Sequence, residues 1–148
     1  MLQRVVERAR QAKLVEKIVV ATTRRPDDDV IAEVCRCLHI AYYRGSESDV
    51  LGRLIDAASL FHADVVVRLT ADCPLVDPAI IDAMVRRYLC GDVDYVRHAP
   101  DGFDVEVLSW GLLRSLRCHA GTQEHPTQYL IDHPRFCRTL VISAPGSH

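Results

Sequence analysis

The chain has 148 residues, of which 49% are hydrophobic and 26% charged. That length suits one domain, burying about 68–70% of its unfolded surface with no need of a disulfide or metal staple. Eighteen basic against 20 acidic residues leave a formal charge of -2, so no global field gathers nucleic acid or anionic lipid. No apolar run approaches the roughly 18 residues of a membrane span, and the charged, amphipathic first ten residues lack the apolar core of a secretion signal. A cytoplasmic protein is expected.

Leu2, Val5, Val6 and Ala9 recur at helical spacing, which predicts an amphipathic helix over residues 1–12 with Arg4, Arg8 and Arg10 outward. Residues 17–23 are a short β-branched run of the kind buried in a parallel sheet. Pro26 and Asp27–Asp29 then open a helix reaching about residue 38, since Pro suits the first turn and carboxylates favour the positive end of the helix dipole. A second strand is expected at 40–43, a loop at 45–48, and a helix carrying Val50, Leu51, Leu54, Ile55, Ala58 and Phe61 on one face. The clearest strand spans 64–70, and the loop from Ala71 to Pro74 ends it. Pro78 begins the next helix, with Ile80, Ile81, Met84, Val85 and Tyr88 on its apolar face and Gly91 as its stop signal.

This alternation predicts parallel strands joined by right-handed crossovers, hence a three-layer, Rossmann-like, mostly parallel α/β sheet in a single domain over residues 1–148. Beyond residue 91 the pattern gives a short apolar stretch at 94–97, a strand at 104–108, a helix through Leu112, Leu113 and Leu116, a segment around Tyr129 and a final strand at 136–143. The six cysteines form no CxxC pair and fall mostly within apolar periodic segments, so reduced and mostly buried thiols are expected. Cys118, His119, His125 and His133 lack the spacing of a zinc site.

Ligands of open α/β sheets sit outside the carboxyl ends of the strands, which directs attention to the residues after Thr22, Tyr43 and Thr70. Asp72 stands one turn past the most apolar strand. There its carboxylate can hold Mg²⁺ against phosphate oxygens, or it can merely cap the turn before Pro74; spacing leaves both readings open. Arg44, Ser46, Asp49 and Arg53 surround a Gly-Ser loop that can cradle phosphate or base edges, or can be solvated surface. Asp101, Asp104 and Glu106 read as an ordinary turn and strand or as sugar-hydroxyl acceptors, and His125 as a packing group or a ligand contact.

The segment from Val67 to Pro78, reading Val-Arg-Leu-Thr-Ala-Asp-Cys-Pro-Leu-Val-Asp-Pro, resembles the signature of the spore-coat polysaccharide cytidylyltransferase-like family, related to the CMP-KDO synthetases. The resemblance continues in order through residues 43–53, through 100–107, and through Glu124, His125, Thr127 and Tyr129, where Pro126 and Gln128 depart from the commonest form. It implies the nucleotide-diphospho-sugar transferase fold, Asp72 as metal ligand with Asp104 assisting catalysis, and Arg44, Ser46, Asp49, Arg53, Asp101, Glu106 and His125 on the substrate side. CTP or a sugar nucleotide is the implied small-molecule partner, Mg²⁺ the cofactor, and a homodimer the implied assembly.

Relatives open with a glycine-rich loop of the form Ala-Arg-x-Gly-Ser-x-Arg-Leu-Pro-x-Lys and end with a late carboxylate segment; neither pattern occurs in this sequence. The resemblance therefore covers the middle of the family domain, truncated at both ends, and implies nucleotide binding with impaired catalysis, or a non-enzymatic interaction or dimerisation module on the same fold. The strand at 18–22 is expected to pair directly with that at 65–69, or else the segment 136–143 of a second copy is expected to insert between them, because buried unpaired backbone groups are costly.

Overall fold

A computed structural model describes residues 1–99, 105–119 and 125–143. The chain divides into two compact units. The first comprises Met1–Lys17, Val65–Ser109 and Pro134–His148; the second comprises Ile18–Asp64 and Trp110–His133.

The first unit is built on a four-stranded sheet. Its strands are β3 (Val65–Leu69), β4 (Tyr95–Ala99), β5 (Val105–Ser109) and β6 (Thr139–Ser143), in the spatial order β3-β5-β4-β6. β5 runs antiparallel to both neighbours, and β4 and β6 are parallel. The carboxyl ends of β3, β4 and β6 therefore share one edge of the sheet. Helix α4 (Pro78–Leu89) packs on β4 and β5 and is itself covered by α1 (Leu2–Ala9). α4 starts where Asp77 accepts a hydrogen bond from the Ala79 amide at 2.9 Å and Pro78 fills the first turn. It stops at Gly91, whose φ of +82° a side chain would resist. Ile81, Met84 and Val85 of α4 and Val105, Val107 and Leu108 of β5 are buried, each large side chain contributing about 1.5–3 kcal/mol.

The second unit holds β1 (Val19–Thr23) and β2 (Ala41–Gly45), paired in parallel, with α2 (Asp29–Cys37) and α3 (Val50–Leu60) packed on them. α5 (Trp110–Ser115) lies on α3, where the Trp110 indole N–H donates to the Ile55 carbonyl at 3.4 Å, and α6 (Gln128–Asp132) follows. α2 and α3 both close through a histidine in the left-handed region, His39 at φ 53° and His62 at φ 54°. Each lets the following amide return to the helix, Ile40 to the Cys35 carbonyl at 2.8 Å and Ala63 to that of Ala58 at 2.9 Å.

The α/β class holds, with a sheet more mixed than strand–helix alternation implies. The expected direct pairing of residues 18–22 with 65–69 is not formed: β1 pairs with β2 and β3 with β5. Nor is residue range 136–143 held in reserve for a second copy, because β6 lies in register on β4 of its own chain. The premise of full burial fails, since β3 is half-buried throughout and β1 nearly so, leaving water to reach edge N–H and C=O groups. All six cysteines are free, but only Cys35 is buried; Cys37, Cys90 and Cys118 are exposed. Burial pushes the Cys35 thiol up. Among the described residues no helix is long and apolar enough to cross a membrane.

β6 is tied to the start of β4 by Asp94, which accepts from the Arg138 amide at 2.9 Å and its guanidinium at 2.8 and 3.0 Å. These bonds hold the Asp94 carboxyl down to about 2, from 3.8. A depressed carboxylate contributes stability that is present above the unfolded value and lost as pH falls through the folded one. Asp94→Asn is therefore expected to lower the urea midpoint at pH 5 and 7 and to lose that deficit on descent from pH 4 to pH 2. An Asp94→Asn deficit unchanged at pH 2 contradicts the linkage. The effect is small, because both partners are more than a third exposed and screened.

Candidate functional site

At the carboxyl edge of the first unit the backbone leaves β3 at Leu69 and turns through Thr70–Pro74. The turn is closed by the Cys73 amide on the Thr70 carbonyl at 3.4 Å and the Val76 amide on that of Cys73 at 3.3 Å, and is anchored by Val76, 1% exposed. Asp72 projects from it, exposed. The Thr70 hydroxyl is the first reason its carboxyl lies below the usual carboxylate range, followed by its own backbone N–H; the Cys73 thiol, 3.8 Å from Oδ1, and the Arg68 charge add to this against the cost of burial. Asp72 is thus an anion at neutral pH, available to solvent.

Behind that turn a buried polar group spans three strands. Register places Arg68 opposite Glu106 across β3–β5 and Arg97 opposite Glu106 across β5–β4, so the three side chains share one face of the sheet. Glu106 is 6% exposed. Its Oε2 accepts from Arg68 Nη1 at 2.7 Å and its Oε1 from the Tyr95 hydroxyl. Expected on the substrate side, Glu106 is held inside the sheet rather than presented at its edge. Composition alone hides this pair, yet a legible signal exists: one opposite charge embedded in each of two β-branched runs, Val65-Val66-Val67-Arg68-Leu69 and Val105-Glu106-Val107-Leu108.

In the second unit the predicted residues fall together at the carboxyl ends of β1 and β2, where they bind one another. Arg44 pairs with Asp29 at 2.7 Å and donates to the carbonyls of Thr23 and Arg25, each at 2.8 Å. The Ser46 hydroxyl accepts from the Asp49 amide at 3.2 Å, and Arg53 Nη1 donates to the Ser46 carbonyl at 2.7 Å. Asp49 caps α3 through the Gly52 amide at 2.8 Å and pairs with Arg117 at 3.1 Å; a Cβ at Gly52 would collide with that carboxylate. Asp28, read from sequence only as a helix-start carboxylate, accepts from both Thr22 and Thr23, and the Thr23 hydroxyl is the main cause of its lowered pKa. His125 is exposed, Thr127 is buried, and Tyr129 stacks between His119 at 5.1 Å and His133 at 4.0 Å. Asp101, Asp104 and Glu124 lie outside the described residues.

Among the described residues no group of three His, Cys, Asp or Glu side chains could hold a metal ion. Asp72 by itself suits Mg²⁺ that arrives with phosphate oxygens, which is how that cation is commonly held, and not a preformed all-protein cage. A cleft of about 540 Å³ between α1 and α4 includes Lys13, Asp77, Asp82 and Arg86. Its carboxylates are engaged structurally: Asp82 receives the amides of Lys13 at 3.0 Å and Leu14 at 2.9 Å, and Asp77 caps α4.

The sequence pattern of a family described as Cytidylyltransferase matches residues 1–143. An uncharacterised protein of Methanocaldococcus jannaschii, MJ1063, is 33% identical over 97% of this chain and 61% of its own length. The spore coat polysaccharide biosynthesis protein SpsF of Bacillus subtilis is 32% identical over 98% of this chain and 65% of its own. A solved cytidylyltransferase of Leptospira borgpetersenii superposes with a TM-score of 0.91 at 29% identity, over 97% of this chain and 65% of that one. The chain thus spans a little under two thirds of the length of these relatives.

Removing Glu106 leaves the Arg68 side chain, 15% exposed, without its carboxylate. Glu106→Ala is expected to cost about 3–5 kcal/mol, and Tyr95→Phe, which deletes one hydrogen bond to a charged group, about 1.5–3 kcal/mol. Urea unfolding of both variants measures this; a Glu106→Ala loss below about 0.5 kcal/mol, the scale of a neutral surface change, shows that the pair does not hold these strands.

Proposed function

The chain belongs to the cytidylyltransferase family, and from that premise we propose that it binds CTP with Mg²⁺ at the carboxyl edge of the first unit, in cytidylyl transfer to a sugar during polysaccharide biosynthesis. The observation that carries this reading is Asp72: an exposed, ionised carboxylate on a turn fixed by Thr70, Cys73 and Val76, just beyond β3. Such an edge is where open α/β sheets take nucleotides. Mg²⁺, when bound, offsets charge on the phosphate oxygens. Asp72 supplies it one hard oxygen ligand, and the hydrogen bonds that keep Asp72 anionic keep it ready to do so.

In the second unit the Arg44 guanidinium is engaged by Asp29 and two carbonyls, while Arg53 Nε is buried without a hydrogen-bond partner among the described residues. The Gly45–Ser46 loop is assigned to shape and to backbone contacts rather than to charge. CTP as ligand and six free thiols fit a cytoplasmic site of action.

Calorimetry with CTP, in the presence and absence of Mg²⁺, tests the reading on wild type and Asp72→Ala. Wild type is expected to bind CTP more tightly with Mg²⁺, and Asp72→Ala to lose that gain, about tenfold or more, with an unchanged circular dichroism spectrum. Equal metal dependence in the two proteins removes Asp72 from the site. Failure of wild type to bind CTP at all favours the non-enzymatic interaction module.

A further inference from the structure

The cross-strand row Arg68–Glu106–Arg97 contains two cations and one carboxylate. Both Glu106 oxygens are engaged, one by Arg68 and one by Tyr95. Arg97 stands opposite Glu106, half-buried between Val96 and His98, which are buried, yet it enters no ion pair among the described residues. A partly desolvated guanidinium without a carboxylate is a cost to the folded chain, and its planar donors fit a phosphate or carboxylate closely.

Position gives that cost a use. β3 and β4 each run antiparallel to β5, so they run the same way, and Arg97 sits in the Glu106 row, two residues short of the edge where β3 delivers Asp72. Arg68 and Arg97 stand two strands apart, about 10 Å at the backbone. Glu106 between them neutralises Arg68 on the edge strand β3 and leaves Arg97 on the interior strand β4. We propose that Arg97 is an oxyanion-contacting residue of the ligand site, taking a phosphate or carboxylate group that lies beside, and not on, the position assigned to the metal. The inference rests on the reading of this edge as the ligand site, but not on the metal, because an arginine binds an oxyanion without one.

The test is a metal-free ¹H–¹⁵N NMR titration of wild type, Arg97→Gln, Arg97→Lys and Asp72→Ala with two probes, inorganic pyrophosphate and gluconate. Wild type, Arg97→Lys and Asp72→Ala are expected to bind at least one probe, with shifts at the amides of residues 96–98. Arg97→Gln is expected to bind that probe about ten- to a hundredfold more weakly. Loss confined to pyrophosphate assigns Arg97 to the nucleotide phosphates; loss confined to gluconate assigns it to an acidic sugar. Binding of both probes by Arg97→Gln as tight as wild type, or binding of neither by wild type, overturns the proposal. Arg97→Gln that binds normally beside Asp72→Ala that loses its Mg²⁺-dependent CTP affinity refutes Arg97 alone, and the reverse pattern refutes the metal reading alone.

Discussion

A carboxylate taken out of water must be neutralised and hydrogen-bonded or it is not tolerated, and Glu106 imposes that condition on the first unit. It meets the condition only when Arg68 of β3 and Tyr95 of β4 arrive at β5 together. A one-residue slip of either neighbouring strand would turn its donor to the opposite face and leave the charge bare. The register of three strands is therefore fixed at one point, next to the end of β3 and the start of β5. The turn that carries Asp72 departs from that fixed point, which gives an exposed loop residue a rigid base.

Polar groups in the second unit are arranged differently. Asp28, Asp29 and Asp49 face Thr22, Thr23, Arg44, Gly52 and Arg117 across short distances, and the loops after β1 and β2 are closed by those bonds. Charge at these residues is used to shape backbone. In the first unit the balance is different: Asp72 keeps an exposed anionic carboxylate at the edge, and Arg97, two residues inside it, is a cation without an ion pair among the described residues. Uncompensated groups are where binding energy can be gained, because a ligand removes a cost the protein already bears.

Sequence patterning locates what depends on local chemistry. β3, the Asp77–Pro78 start of α4 and its Gly91 stop are each set by a few adjacent residues, and they fall where periodicity and capping put them. What patterning misses is set by partners distant in the chain. The antiparallel placement of β5 is one such case, because Val-Glu-Val-Leu alternation is equally compatible with either direction. The closure of α2 and α3 through His39 and His62 is another, since neither residue type signals a left-handed turn as glycine does. The thiols are misjudged for a related reason: apolar neighbours in sequence do not tell which side of a helix Cys37 or Cys90 occupies. Asp72 is legible as a candidate, whereas the bonds that turn Arg44 and Asp49 inward become visible only with the fold.

If nucleotide and metal meet at the turn after β3, paramagnetic broadening by Mn²⁺ in the presence of CTP measures it directly, because the broadening falls steeply with distance from the ion. Selective loss of amide signals from residues 69–73, spreading to 97–99, is expected at substoichiometric Mn²⁺, with no such loss in Asp72→Ala. Broadening centred instead on Lys13, Asp77 and Asp82 in the cleft between α1 and α4, or on the loops after β1 and β2, would contradict that placement.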